Sequence, residues 1–162
     1  MQNITVGLFG TCGRSTWRNA FIEKYQQENI GYFNPFKENW SPNDAADEAA
    51  HLVQDDIILF PVTGETYGSA SLAEAGFSVY QAVNALTNLR FVFIYIEDAL
   101  QDDLRQNERC WKESTNARKI VLQHIQKIKS PQVFVVKSLD EMLEKSVKLA
   151  HALAEIKKIQ TA

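Results

Sequence analysis

Ile57-Ile58-Leu59-Phe60-Pro61-Val62 is apolar at every position. A strand with one wet face alternates apolar and polar residues, so a run without alternation predicts a parallel strand covered on both sides. Thr63-Gly64 and Gly68-Ser69 punctuate the next stretch, and a helical pattern then begins with Glu74 about one turn inside it. Around Glu74 stand Ser71, Ala73, Ala75 and Gly76, small residues that leave a carboxylate within a ligand's reach. In open α/β sheets ligands bind outside the carboxyl ends of the strands, which is where this loop and this carboxylate fall.

The same alternation of short β-rich runs with longer helical ones recurs five times and predicts a doubly wound, five-stranded parallel sheet. The expected layers are αβα, with a flavodoxin-like or Rossmann-like architecture. The pattern reads as strand 4–9, helix 15–28, strand 31–33, helix 43–54, strand 57–62, helix 69–86, strand 90–96, helices within 100–129, strand 132–136 and helix 139–159. Ser41-Pro42-Asn43-Asp44 and Ser138-Leu139-Asp140-Glu141 are helix starts, each with a Ser cap and acids in the first turn. In the last helix Leu143, Val147, Ala150, Leu153 and Ala154 form an apolar stripe for packing on the sheet. One domain, 1–162, accounts for the whole pattern.

With 45% hydrophobic residues in a chain of 162, a core can be buried without staples. A formal charge of −3, with scattered basic residues, argues against nucleic acid or an anionic membrane as partner. No apolar run approaches the roughly 20 residues of a membrane span, and no basic segment precedes a cleavage site, so a cytoplasmic protein is expected. Cys12 and Cys110 are too few for a disulfide framework or a zinc site. Neither metal nor cofactor is expected.

Three segments carry chemistry besides Glu74. The loop Gly10-Thr11-Cys12-Gly13-Arg14-Ser15-Thr16-Trp17-Arg18 follows the first strand and offers backbone N–H groups to a ligand. It lacks the spacing of dinucleotide or nucleoside-triphosphate loops. At its end an indole, Trp17, suits the wall of an aglycone pocket or the core, and a guanidinium, Arg18, suits a ligand carboxylate or a surface ion pair. Cys12 lies in this loop with no base beside it in sequence. The segment Tyr32 to Trp40 is aromatic for a turn, and Asn34 within it both donates and accepts, as recognition of a heterocycle or sugar hydroxyl requires. Trp40 and Phe36 suit either a lid or a stacking surface. On the next helix lie Asp44, Asp47, Glu48 and His51; Asp47 and His51 are one turn apart, and Asp47 or Glu48 is the candidate partner of Glu74 in an acid/base pair.

Gly7 to Arg18, Tyr32-Phe33-Asn34-Pro35, the run Asp56 to Thr63, and Gly68 to Gly76 together resemble the nucleoside 2-deoxyribosyltransferase-like family, over about residues 4 to 137. The resemblance implies a flavodoxin-like sheet and cleavage of the N-glycosidic bond of a deoxynucleoside or deoxynucleotide, by transfer to another base or by hydrolysis. It implies Glu74 as nucleophile through a covalent glycosyl-enzyme, with Glu48, or Asp47 one register away, as second carboxylate. Gly10, Thr11, Asn34 and Thr63 would contact base or sugar; Gly68, Ser69 and Ser71 would hold sugar hydroxyls or phosphate. It also implies a homo-oligomer with shared sites, in which the segment Glu113 to Arg118 makes Asn116 and Arg118 candidates. A separate reading of the same residues is a nucleotide-phosphate enzyme in which Arg14 and Arg18 clamp the phosphate. Where the family has a Tyr in the first strand this chain has Leu8 or Phe9, and Tyr67 is the candidate to restore that bond; the family's Asp after the central strand is also absent. The expected partners are a nucleoside or nucleotide and a free base. The same pocket without turnover would make the chain a nucleoside- or nucleotide-binding module.

Overall fold

The computed structural model describes residues 4–39, 41–84 and 90–160. Its strands are β1 Thr5–Leu8, β2 Gly31–Phe33, β3 Ile57–Val62, β4 Phe91–Ile96 and β5 Val133–Val135. Its helices are α1 Arg18–Gln27, α2 Pro42–Gln54, α3 Ser69–Asn84, α4 Glu108–Gln126 and α5 Leu139–Gln160, with a short 3-10 helix at Asp102–Gln106. All strand pairs are parallel, in the order β2-β1-β3-β4-β5. This is the three-layer, flavodoxin-like arrangement that the apolar runs predict.

Alternation inside the buried strands divides the core in two. Ile57 and Leu59 join Val6, Leu8 and Phe93 under α1 and α5, where Trp17, Phe21, Tyr25, Met142, Ala150 and Leu153 pack. Ile58, Phe60 and Val62 join Val92, Ile94 and Ile96 on the opposite face, under Leu72, Ala75, Val79 and Ala82 of α3 and Ile125 of α4. Every residue of β3 is buried, so the central strand is shared by both cores.

Element ends depart from expectation where a side chain has other work. α1 starts at Arg18 rather than Ser15, because the Ser15 hydroxyl lies 2.9 Å from Thr63 Oγ1 and the Trp17 indole donates to the Thr11 carbonyl at 3.1 Å. Those residues still belong to the loop. α2 begins one residue early, at Pro42, whose missing N–H is harmless at a first helical position. Its start is fixed by Asp44, which accepts from the Ser41 backbone at 2.8 Å and from the Ser41 hydroxyl at 2.6 Å, and which also pairs with Lys37. The same device starts α5: Ser138 Oγ accepts from the Glu141 N–H at 3.1 Å, and Glu141 accepts from the Lys137 N–H at 2.7 Å. Residues 85 and 86, expected at the end of α3, lie outside the described residues, as does Trp40. No helix among the described residues is long and apolar enough to cross a membrane.

Candidate active site

The strand order reverses direction between β1 and β3, so the loops after these strands part and leave a crevice at the carboxyl edge of the sheet. A cleft of about 340 Å³ occupies it. Gly10, Thr11, Cys12 and Gly13 form one wall, and Thr66, Gly68, Ser69, Ala70 and Ser71 the other; Pro35 and Phe9 complete it. Two carboxylates face this cleft, Glu74 from α3 and Glu48 from α2.

Glu74 stays reached by solvent, yet its carboxyl is raised above its ordinary value, first because its surroundings desolvate the charged form and second because the negative Glu48 is near. Glu48 is half-buried, and its charge is felt by the Arg18 guanidinium behind the cleft floor. Asp47 is exposed and does not line the cleft. Adjacent helical residues point about 100° apart, so only one of the pair can face Glu74, and the structure assigns that place to Glu48.

The walls are held by side chains that bind backbone rather than ligand. Gly10 has φ of 97°, and a Cβ there would sit 2.4 Å from the Pro61 carbonyl oxygen, so no larger residue fits. Thr11 donates its N–H to that carbonyl at 3.0 Å, and its hydroxyl lies 2.7 Å from Thr63 Oγ1 and accepts from the Thr63 N–H at 3.1 Å. Thr11 therefore presents backbone to the cleft, while the buried Thr63 serves as a stitch between the two loops and does not line the cleft.

Arg18 is buried and donates to three carbonyls, Leu8 at 2.9 Å, Thr11 at 2.7 Å and Gly10 at 3.3 Å, and to Cys12 Sγ at 3.4 Å. It is a clamp on the loop, not a hand extended to a ligand carboxylate or phosphate. Burial lowers its pKa, and Cys12 and Glu48 oppose that shift. Arg118 does the same for the other wall. It is 0% exposed and donates to the carbonyls of Val62, Thr63, Thr66 and Glu97 at 2.8 to 3.0 Å. Both arginines were expected to contact substrate; the structure uses them to turn loop carbonyls inward.

Other expected contacts go elsewhere. Trp17 is core, edge-on to Phe21 at 5.0 Å. The Asn34 side-chain Oδ1 accepts the Phe36 N–H at 3.1 Å, shaping the turn; Pro35, not Asn34, lines the cleft. Asn116 is exposed on α4, away from it. Arg14 pairs with Asp103 at 2.6 Å rather than facing the cleft. The Tyr67 hydroxyl donates to the Leu104 carbonyl at 2.9 Å and so cannot bond Glu74 in place of the absent strand tyrosine. His51 pairs with Asp55 at 2.8 Å and stacks on Phe33, not on Asp47. Conversely, Gly13, Pro35, Thr66 and Ala70 line the cleft without having stood out as candidates; only their position in the loops after β1, β2 and β3, or for Ala70 in the first turn of α3, could have signalled them. Among the described residues no group of three or more His, Cys, Asp or Glu is placed to hold a metal ion.

The fold and cleft define a flavodoxin-like α/β domain with paired carboxylates at its switch point. No family model matches the chain, and no curated protein does. Among solved structures it is similar to a conserved protein from Enterococcus faecalis V583, with 14% identity, a TM-score of 0.54, and coverage of 91% of this chain and 98% of that one. It is also similar to a chain of the RPS4 and RRS1 TIR domain heterodimer, with 9% identity, a TM-score of 0.52, and coverage of 93% and 97%. At such identities the likeness is one of fold.

Proposed function

We propose that the chain is an N-glycosyl transferase or hydrolase acting on (deoxy)nucleosides or (deoxy)nucleotides, with Glu74 as nucleophile. The observation that carries this reading is the pair Glu74 and Glu48, on different helices, lining one cleft walled by backbone and small side chains. With the one proton of the carboxylate pair on Glu48, a Glu74 oxygen attacks C1′ as the C1′–N bond breaks, and the departing electron pair goes to the base, which takes that proton. In the second half a base nitrogen or a water oxygen attacks C1′, gives its proton to Glu48, and returns Glu74 as carboxylate. Negative charge beside C1′ stabilises the oxocarbenium-like transition state in both halves.

Subunit association belongs to the same reading. α3 carries one charge, Glu74, and exposes Phe77, Tyr80 and Val83 along one side, with open space above Gly76. An exposed apolar stripe beside an open cleft favours a homo-oligomer that covers the site. A cytoplasmic setting suits the free thiols Cys12 and Cys110.

The test incubates the protein with deoxynucleosides or deoxynucleotides, with and without an acceptor base, and follows released or exchanged base by chromatography. Turnover by the parent protein and none by Glu74→Gln is the expected result. Equal behaviour of the two proteins on every donor removes the assignment, and tight binding of intact ligand by both makes the chain a binding module.

A further inference from the structure

A second hollow, about 270 Å³, lies between Tyr67, Ser69 and Leu72 on one side and Cys110, Glu113 and Ala117 of α4 on the other. Ser69 lines both hollows, so the first turn of α3 is the ridge between them. That ridge is an uncapped helix start. Gly68 before it has no side chain, the first turn holds no acid, and the first backbone bond is Leu72 N–H to the Gly68 carbonyl at 2.9 Å. Among the described residues no protein acceptor meets the N–H groups of Ser69, Ala70 or Ser71. Ser71, 7% exposed, lines the cleft, and its hydroxyl has no protein partner there. The rest of Ser71 is packed away, and its hydroxyl opens to the cleft, where it can donate to a ligand acceptor.

Size points the same way. Ligand sites run from about 300 to 1,000 Å³. Each hollow alone stands near or below the lower bound, whereas a ligand spanning both falls well inside it. The linker of such a ligand would cross three free N–H groups and the positive end of a helix dipole, which suits phosphate. Neither arginine of the β1–α1 loop competes for it, Arg14 being paired with Asp103 and Arg18 with carbonyls.

We propose that the substrate is a dinucleotide, with the reacting glycosidic bond at Glu74, the phosphates over Ser69, Ala70 and Ser71, and the second nucleoside in the hollow between α3 and α4. Leu72 and Ala117 give that nucleoside an apolar wall, and Glu113, which also pairs with Arg109 at 2.9 Å, gives its exocyclic N–H an acceptor. The inference rests on the glycosyl reading above and names its substrate class.

The two free cysteines make it testable in the unaltered protein, because Cys12 lines the first hollow and Cys110 the second. Rates of alkylation at each thiol are read by mass spectrometry with adenosine, adenosine monophosphate or diadenosine pyrophosphate present, and calorimetry gives the affinities. The dinucleotide is expected to protect both thiols and to bind about tenfold or more tightly than the monophosphate, since its second half binds at high effective concentration. Adenosine and the monophosphate are expected to protect Cys12 alone. Ala117→Leu, which fills the second hollow, is expected to lose that tenfold while binding the monophosphate as the parent does. Unprotected Cys110, equal affinities, or an Ala117→Leu protein that loses both ligands alike overturns the proposal. If base release from mononucleosides still depends on Glu74, the glycosyl reading survives that failure; if no ligand is bound or cleaved, both fall.

Discussion

At position 74 a carboxylate sits beside a second one, in surroundings that disfavour its charge. Its folded pKa lies above its ordinary 4.5, so the folded state holds the proton more tightly than the unfolded state does. Stability then declines as pH rises from the unfolded value through the folded one, and the penalty is complete and constant above it. Glu74→Gln removes that penalty. We predict that the variant melts higher than the parent above about pH 6 and at the same temperature near pH 4, while turnover falls by a factor of about 10³ or more. Scanning calorimetry at the two pH values checks the first part, and a Glu74→Gln protein that melts lower at neutral pH contradicts it. Arg118 makes the opposite prediction. Replacing its planar fork by a lysine point charge leaves several buried carbonyls unpaired, so Arg118→Lys is expected to cost about 3 kcal/mol or more in urea unfolding. Gly68, at φ of 68°, would bring a Cβ 2.7 Å from Val62 Cγ1, and Gly68→Ala is expected to lose about 1 to 3 kcal/mol in the same measurement.

α2 is the element that brings Glu48 to Glu74, and its start depends on Asp44. The hydrogen bonds from Lys37 and Ser41 hold the Asp44 carboxyl down to about 2, below its ordinary 3.8. A depressed carboxyl contributes stability above its unfolded pKa and loses it as pH falls through the folded value. The parent's stability should therefore drop between about pH 4 and 2, and the Asp44→Asn curve should be flatter there, as read by circular dichroism at 222 nm against pH. Sequence pattern revealed most of this element and the others, because apolar runs such as Ile57 to Val62 and caps such as Ser138 with Glu141 are local devices. Glu74 stood out by its small neighbours, whereas the helix pattern left Asp47 and Glu48 as alternatives, because which of two adjacent helical residues faces the cleft depends on how the helix packs. The arginines were not legible. Nothing local distinguishes a guanidinium that reaches a ligand from one that turns inward to carbonyls, and the partners of Arg118 lie 21 to 56 residues away. Trp17, equally suited by sequence to pocket or core, went to the core because the loop bends before α1 begins.

At the scale of the molecule, the sheet order sets the cleft between the β1 and β3 loops, and the exposed side of α3 sets what can cover it. Tyr80→Glu places a charge in the middle of the stripe Phe77, Tyr80 and Val83, and sedimentation is expected to show smaller particles than the parent forms, with the melting temperature of each chain's core little changed. Equal sedimentation of the two proteins contradicts association through α3. Covalent attack by Glu74 is tested most directly by trapping. The protein is incubated with a donor nucleoside bearing fluorine at C2′, quenched in acid, digested with trypsin, and the peptide from Glu38 to Arg90 is fragmented in the mass spectrometer. The expected result is the mass of one pentosyl group attached at Glu74. Attachment at Glu48, or base release from the parent donor with no adduct on either carboxylate, would contradict it.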